Sequence, residues 1–131
     1  AKLKTVEDIM LTGKKIPFVN ENLKMKTALK ILSDKKLGVL IVQNKKKQTT
    51  GIITDGQIRR FNQKNPSLHS TEVNKVMTRN PISVEKNDLA AKALSIMNNK
   101  KITALCVFDK KNKSKTIGVL HVHTILQSNI S

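Results

Sequence analysis

The sequence predicts an α+β (α/β) fold built from two tandem β-α-β-β-α units. Three observations carry this. The chain repeats itself at offsets of 65 to 67 positions. Each copy contains a stretch with helical apolar spacing. Each copy then contains two short runs rich in β-branched residues, separated by a lysine- and asparagine-rich loop. Self-similarity at a fixed period decides the architecture before any single motif does. Val6-Glu7-Asp8-Ile9-Met10 is matched by Val73-Asn74-Lys75-Val76-Met77, Lys35 to Val42 by Lys100 to Val107, and Thr50-Gly51-Ile52-Ile53 by Ile117-Gly118-Val119-Leu120. The small differences in offset fall in loops, where insertions are tolerated. The units are 1–66 and 67–131, joined near residues 65–71, where Asn65-Pro66-Ser67 breaks the pattern.

The elements follow in the same order in both copies. A short amphipathic turn opens each, with Thr5 as N-cap in the first and Glu72 in the first turn of the second. Extended segments come next at Pro17-Phe18-Val19 and Pro81-Ile82-Ser83-Val84. Met25, Ala28, Leu29 and Leu32, and then Ala90, Ala93, Leu94 and Met97, stand at i, i+3, i+4, i+7 and predict one helix per unit. The methionines read as core filler. Strands are expected at 38–43, 49–53, 103–108 and 116–121, apolar on both faces as in a covered sheet. A last helix closes each unit: 54–63 with Ile58 and Phe61 inward, and 122–128 with Ile125 and Leu126 inward. Neither unit hides its sheet well alone, so the two are expected to pack about a pseudo-two-fold.

The 131 residues bury roughly two-thirds of their unfolded surface, enough for a core without disulfides or metals. No apolar run approaches the ~18 residues of a membrane span. Lys2 and Lys4 are followed by Glu7 and Asp8, which is not the pattern of a secretion leader. The single cysteine, Cys106, excludes an internal disulfide and fits a reducing compartment. The formal net charge is +16, from 25 Lys and Arg against 9 Asp and Glu, which invites a nucleic-acid reading. The make-up of that charge argues otherwise. Only three of the 25 are arginine, there is no Trp or Tyr, and the phenylalanines are Phe18, Phe61 and Phe108 alone. Rigid arginine forks and aromatic stacking platforms are therefore scarce. The chain is also rich in Asn and Ile, which share A/T-rich codons with Lys, and a solvated basic surface is the preferred reading.

The informative junction is Gly51-Ile52-Ile53-Thr54-Asp55-Gly56-Gln57-Ile58-Arg59-Arg60, where a strand runs into a helix. A helix N-terminus offers unpaired N–H groups and partial positive charge. Thr54, with Arg59 and Arg60 a turn further on, makes a cradle for a phosphate or a sugar hydroxyl. Thr54 and Gln57 also make a capping box that needs no ligand, and both readings stand. The matching junction is Gly118-Val119-Leu120-His121-Val122-His123-Thr124. His121 and His123 lack further zinc ligands, so His121 is expected to cap the helix or to line the same cleft as Thr54. Cys106 reads as a core thiol. No nucleophile elbow, Walker loop or catalytic carboxylate set is present, which argues against an independent enzyme.

With these residues in hand the chain resembles a tandem cystathionine-β-synthase (CBS) domain pair over its whole length. Val6 to Met10, Thr12-Gly13, Ile16-Pro17, Ile53 to Arg60 and Gly118 to His123 are further similar to the C-terminal region of arabinose-5-phosphate isomerases. The resemblance implies a regulatory module, non-catalytic by itself, that follows a sugar isomerase domain of about 200 residues, a typical domain size. That domain interconverts ribulose 5-phosphate and arabinose 5-phosphate for Kdo or capsule synthesis. The resemblance also implies a cytoplasmic homodimer with no required cofactor, no metal, and neither nucleic acid nor membrane as partner. The implied effector is an adenosyl nucleotide or a cytidylyl sugar bound in clefts between the repeats. The implied contacts are Thr54, Asp55, Gln57, Arg59 and Arg60 in one cleft, and His121, His123 and Thr124 in the other. The resemblance further implies that Ile16-Pro17, Pro81-Ile82 and Thr103 form base-contacting walls. The family's usual Asp three residues after the Thr is replaced by Gln57 and Thr124, which weakens the grip on a ribose diol and favours, as an alternative, a dimerisation scaffold with vestigial clefts.

Overall fold

A computed structural model describes residues 3–65 and 67–128. In chain order it contains α1 (Val6–Ile9), β1 (Phe18–Asn20), α2 (Met25–Lys35), β2 (Val39–Gln43), β3 (Thr49–Thr54), α3 (Asp55–Lys64), β4 (Thr78–Arg79), β5 (Ser83–Glu85), α4 (Ala90–Lys100), β6 (Ala104–Phe108), β7 (Gly118–His121) and α5 (Val122–Gln127). The fold is α+β, with β-α-β-β-α order in each half as the repeat predicts.

Contacts divide the chain into two compact units, Pro17–Pro81 and the segment up to Ile16 together with Ile82 onward. These are not the sequence repeats 1–66 and 67–131. In each unit the opening turn comes from one repeat and three strands of the sheet from the other. Val73, Val76 and Met77 belong to the core that also holds Val19, Met25, Leu40 and Ile53. Val6 and Ile9 belong to the core that holds Val84, Met97, Leu105 and Leu120. The two opening segments are near-copies in sequence, so either suits the same apolar seat. Which seat each takes is decided by chain path.

In the 17–81 unit the sheet runs β1-β2-β3-β4. β1 is parallel to β2, β2 antiparallel to β3, and β3 antiparallel to β4. Residues of β2 from Val39 to Val42 are all buried, as expected of a strand covered on both faces. Met25 and Ala28 of α2 are buried, with Leu29 and Leu32 partly buried on the same core. β4 was not expected; two residues give too little pattern to find it. In the other unit the sheet runs β5-β6-β7, and Leu11 exchanges both backbone bonds with Val119 at its edge. Ala90, Ala93 and Met97 of α4 are buried in the core and Leu94 packs against it.

Three expectations need correction. Leu126 was expected to face inward, but it is 60% exposed. The helix has six residues, successive side chains differ by about 100° around the axis, and Ile125 takes the inward position. Glu72 precedes its turn as the N-cap of a 3-10 turn, Val73–Lys75. The extended segment at Pro81-Ile82 enters the sheet only at Ser83.

Candidate functional site

In the 17–81 unit β1 and β2 begin, and β3 ends, at the same end of the sheet, because β1 parallels β2 while β3 returns along it. β3 delivers Thr54 to the N-cap of α3. Thr54 Oγ1 accepts the Gln57 N–H at 3.4 Å, and Gln57 Oε1 accepts the Thr54 N–H at 2.8 Å. This is the expected capping box. Gln57 Oε1 also accepts from the Thr54 hydroxyl at 3.2 Å, and Gln57 Nε2 donates to the Thr78 hydroxyl on β4.

Asp55 follows directly. Its N–H donates to the Gly38 carbonyl at 3.2 Å, and its carboxylate lies over Gly38, where a Cβ would stand 3.0 Å from Oδ2. Gly38 has φ +69°, so it supplies both the turn and the room. Arg60 folds back along α3, with Nη1 3.3 Å from where a Cβ on Gly56 would be. Arg59 and Arg60 are exposed, and neither has an ion pair among the described residues. Pro17, at the head of β1, is buried and its carbonyl accepts the Ile41 N–H at 2.9 Å. Thr54, Asp55, Gln57 and Arg60 are thus gathered at one helix end, with Arg59 beside them in sequence and exposed to solvent. Ile16 is buried and falls in the other unit.

The second junction repeats the backbone plan with different chemistry. The Val122 N–H donates to the Thr103 carbonyl at 2.9 Å, as Asp55 does to Gly38. The Cys106 N–H donates to the Ile82 carbonyl at 3.4 Å, as Ile41 does to Pro17. His121 is buried and caps α5, its Nδ1 accepting the His123 N–H at 3.2 Å. With Nδ1 accepting, a neutral imidazole carries its proton on Nε2. The His121 and His123 rings stack with centroids 4.9 Å apart. His123 and Thr103 are exposed, and Thr124 and Pro81 are half-buried. No charged side chain stands at the first turn of α5, whereas α3 begins with Asp55 and has the two arginines on its second turn. The two junctions thus differ in charge, and the arginines stand in the 17–81 unit.

Two participants escaped the sequence reading. Thr78 lies 24 residues beyond Thr54, on a strand too short to predict. Gly38 was read as the start of a strand rather than as the seat of Asp55. Among the described residues, no three His, Cys, Asp or Glu stand close enough to hold a metal ion, and no helix is long and apolar enough to cross a membrane. Cys106 is buried on β6, and burial pushes its thiol up to about 11, against a hydrogen bond with Thr116 that acts downward.

The CBS-domain family model matches residues 6–64 and 73–130. The chain belongs to the CBS-domain family. Each match starts at an opening turn and takes in a closing helix, so the CBS pair accounts for nearly every element of the fold. Its sequence is 35% identical over 125 residues to arabinose 5-phosphate isomerase KdsD of Yersinia pestis. That alignment covers 95% of this chain and 37% of KdsD, so the chain spans little over a third of the length of such relatives. Among solved structures, CBSX2 in complex with AMP superposes with a TM-score of 0.83 at 23% identity, covering 95% of this chain and 94% of that one. The CBS domain pair of MJ0100, in complex with 5-methylthioadenosine and S-adenosyl-L-methionine, gives 0.81 at 20%, covering 97% and 96%. These two likenesses establish the fold of the CBS pair.

Proposed function

We propose that this CBS pair is the non-catalytic regulatory module of a cytoplasmic sugar-phosphate isomerase that interconverts ribulose 5-phosphate and arabinose 5-phosphate in Kdo or capsule synthesis. The module senses a phosphorylated effector, an adenosyl nucleotide or a cytidylyl sugar, and passes its state to the isomerase domain and across a homodimer. The observation that carries this reading is the 35% identity to KdsD across 95% of the chain. The ligand part is supported by the α3 N-terminus, whose first-turn N–H groups and back-folded Arg60 suit a phosphate. The solved relatives bound to AMP and to S-adenosyl-L-methionine support the adenosyl class.

The test is a thermal-shift and calorimetric titration of the CBS pair with AMP, ATP, S-adenosyl-L-methionine and a cytidylyl sugar, alongside isomerase assays of the whole protein. A ligand at 100 times Kd stabilises its target by about 2.7 kcal/mol. One ligand is expected to bind and to change isomerase activity. No shift with any of them removes the sensing role.

A second reading has its own observation. Every polar group of the Gln57 amide is already engaged by Thr54 or Thr78. That favours a dimerisation scaffold with vestigial ligand sites, which predicts a dimer indifferent to all four ligands.

A further inference from the structure

We propose that Gln57 is a latch joining the N-terminus of α3 to β4, and that a phosphate-bearing ligand at α3 opens it. The inference deepens the proposed function and rests on it for its ligand. Gln57 Oε1 holds both the N–H and the hydroxyl of Thr54, while Nε2 reaches across to the Thr78 hydroxyl. One side chain thereby ties a helix cap to the edge of the sheet. β4 needs such a tie. It has two residues, both exposed, and two ladder positions on β3. Edge strands this short open easily by local unfolding.

The latch belongs to one unit only. The positions matching Thr54, Gln57 and Thr78 in the repeat are His121, Thr124 and Leu11. Thr124 is too short to bridge and Leu11 has no polar group to receive it; Leu11 has only the backbone pairing with Val119 that matches the pairing of Thr78 with Ile52. The duplicated fold thus shares a backbone pairing in both copies and adds the side-chain latch to one of them.

The coupling follows from what a phosphate would take. Its oxygens need the N–H groups of the first turn of α3 and the Thr54 hydroxyl, the same groups that the capping box uses. A ligand occupying them competes with Gln57 for Thr54, so the amide swings away and Thr78 is released. β4 leads through Asn80, at φ +55°, and Pro81 to Ile82, where the chain leaves this unit. Opening the latch loosens the segment by which the unit continues into the rest of the protein, which is the differential effect that regulation requires.

The experiment is hydrogen exchange of the 76–81 segment, with amide resonances of Asp55 and Gly56 as the binding report. It is run on the full chain with AMP, a cytidylyl sugar and inorganic phosphate as probes. Without ligand, Thr78→Val should speed exchange of 76–81 by about two- to tenfold, the effect of losing one hydrogen bond, and Thr78→Ser should restore it. Unchanged exchange in Thr78→Val overturns the latch. With a bound probe, wild-type 76–81 should speed up and Thr78→Val should respond no further; binding without that change overturns the coupling. Unmoved Asp55 and Gly56 resonances with every probe overturn the sensing function itself, and with it ligand control of the latch. The ligand-free arm separates that outcome from failure of the latch.

Discussion

Met77 lies directly over Gly51: a Cβ on Gly51 would stand 2.8 Å from Met77 Cγ and 2.8 Å from the Thr78 carbonyl. The repeat reproduces the contact with Met10 over Gly118, where a Cβ would meet Met10 Cγ at 2.9 Å and the Leu11 carbonyl at 3.2 Å. The Val-x-x-hydrophobic-Met and Gly motifs that make the repeat visible are thus the two halves of one packing contact.

Substituting either glycine by alanine should destabilise its unit by about 1–3 kcal/mol through overpacking. A methionine thioether is the nearest group at both sites, so Gly51→Ala should cost more than Gly118→Ala because the rigid backbone carbonyl behind it stands closer at Gly51, 2.8 Å against 3.2 Å. Urea midpoints of the two variants check the order.

Val6 is fully buried in a core whose other buried members, Ile9 apart, run from Val84 to Ile125. Val6→Ala should cost about 2 kcal/mol by leaving a cavity. Hydrogen exchange should speed up first in β6 and β7, rather than in β2 and β3 of its own sequence repeat. Equal effects on both sheets would contradict the exchanged opening segments.

Cys106 should be inert to a thiol reagent at pH 8 until the chain unfolds. Folding raises its thiol from 9.0 to about 11, so the native state keeps a proton that the unfolded chain gives up. That contribution is complete below pH 9 and is lost as pH rises towards 11, up to about 3 kcal/mol in all. Cys106→Val should therefore lose less stability between pH 8 and pH 11 than the wild type, as read by urea unfolding.

Lys86 bridges Asp109 at 3.2 Å and Glu7 at 3.7 Å. The Lys111 backbone N–H, and then Lys86, hold the Asp109 carboxyl below its ordinary value. Asp109 and the ions beside it hold the Lys86 amine above its own. The carboxylate's contribution is present above the usual Asp range and fades as pH falls through the lowered value; the amine's fades only as pH rises past the raised one. Asp109→Asn should be slightly less stable than wild type at neutral pH. The gap should close in acid and shrink in high salt.

Arg59→Ala with Arg60→Ala should leave stability within about 0.5 kcal/mol, since both side chains are exposed and outside any ion pair described here. Affinity for a phosphorylated effector should fall about tenfold or more, the usual loss for a charge-assisted bond. Calorimetry against the ligand found for the wild type reads it directly. Equal affinity would move the phosphate site away from α3.

The repeat, the helices and the paired strands were legible in the sequence because each has a period longer than its noise. α2 shows four apolar positions on one face, and β2 shows four consecutive buried residues. The cap at Thr54 was equally legible, since Thr and Gln three residues apart act within one turn. Leu126 was misplaced because six residues are too few for periodicity to choose between neighbours. Thr78 was missed because its role depends on β4 lying beside β3, a non-local pairing with no trace in composition.

The sequence by itself determined that this chain is two copies of one β-α-β-β-α unit, that each copy places a polar cap where its strand meets its last helix, and that the cationic cap is Thr54 to Arg60 rather than His121 to Thr124. These are local properties, set by residue type and spacing along a few turns of chain. Only the tertiary structure decided that the opening turns pack on the sheet of the opposite repeat, that Asp55 settles over Gly38, and that Gln57 reaches Thr78. Near-identical apolar turns fit either seat, and an amide finds its partner only after strands far apart in sequence lie side by side, so those choices belong to packing.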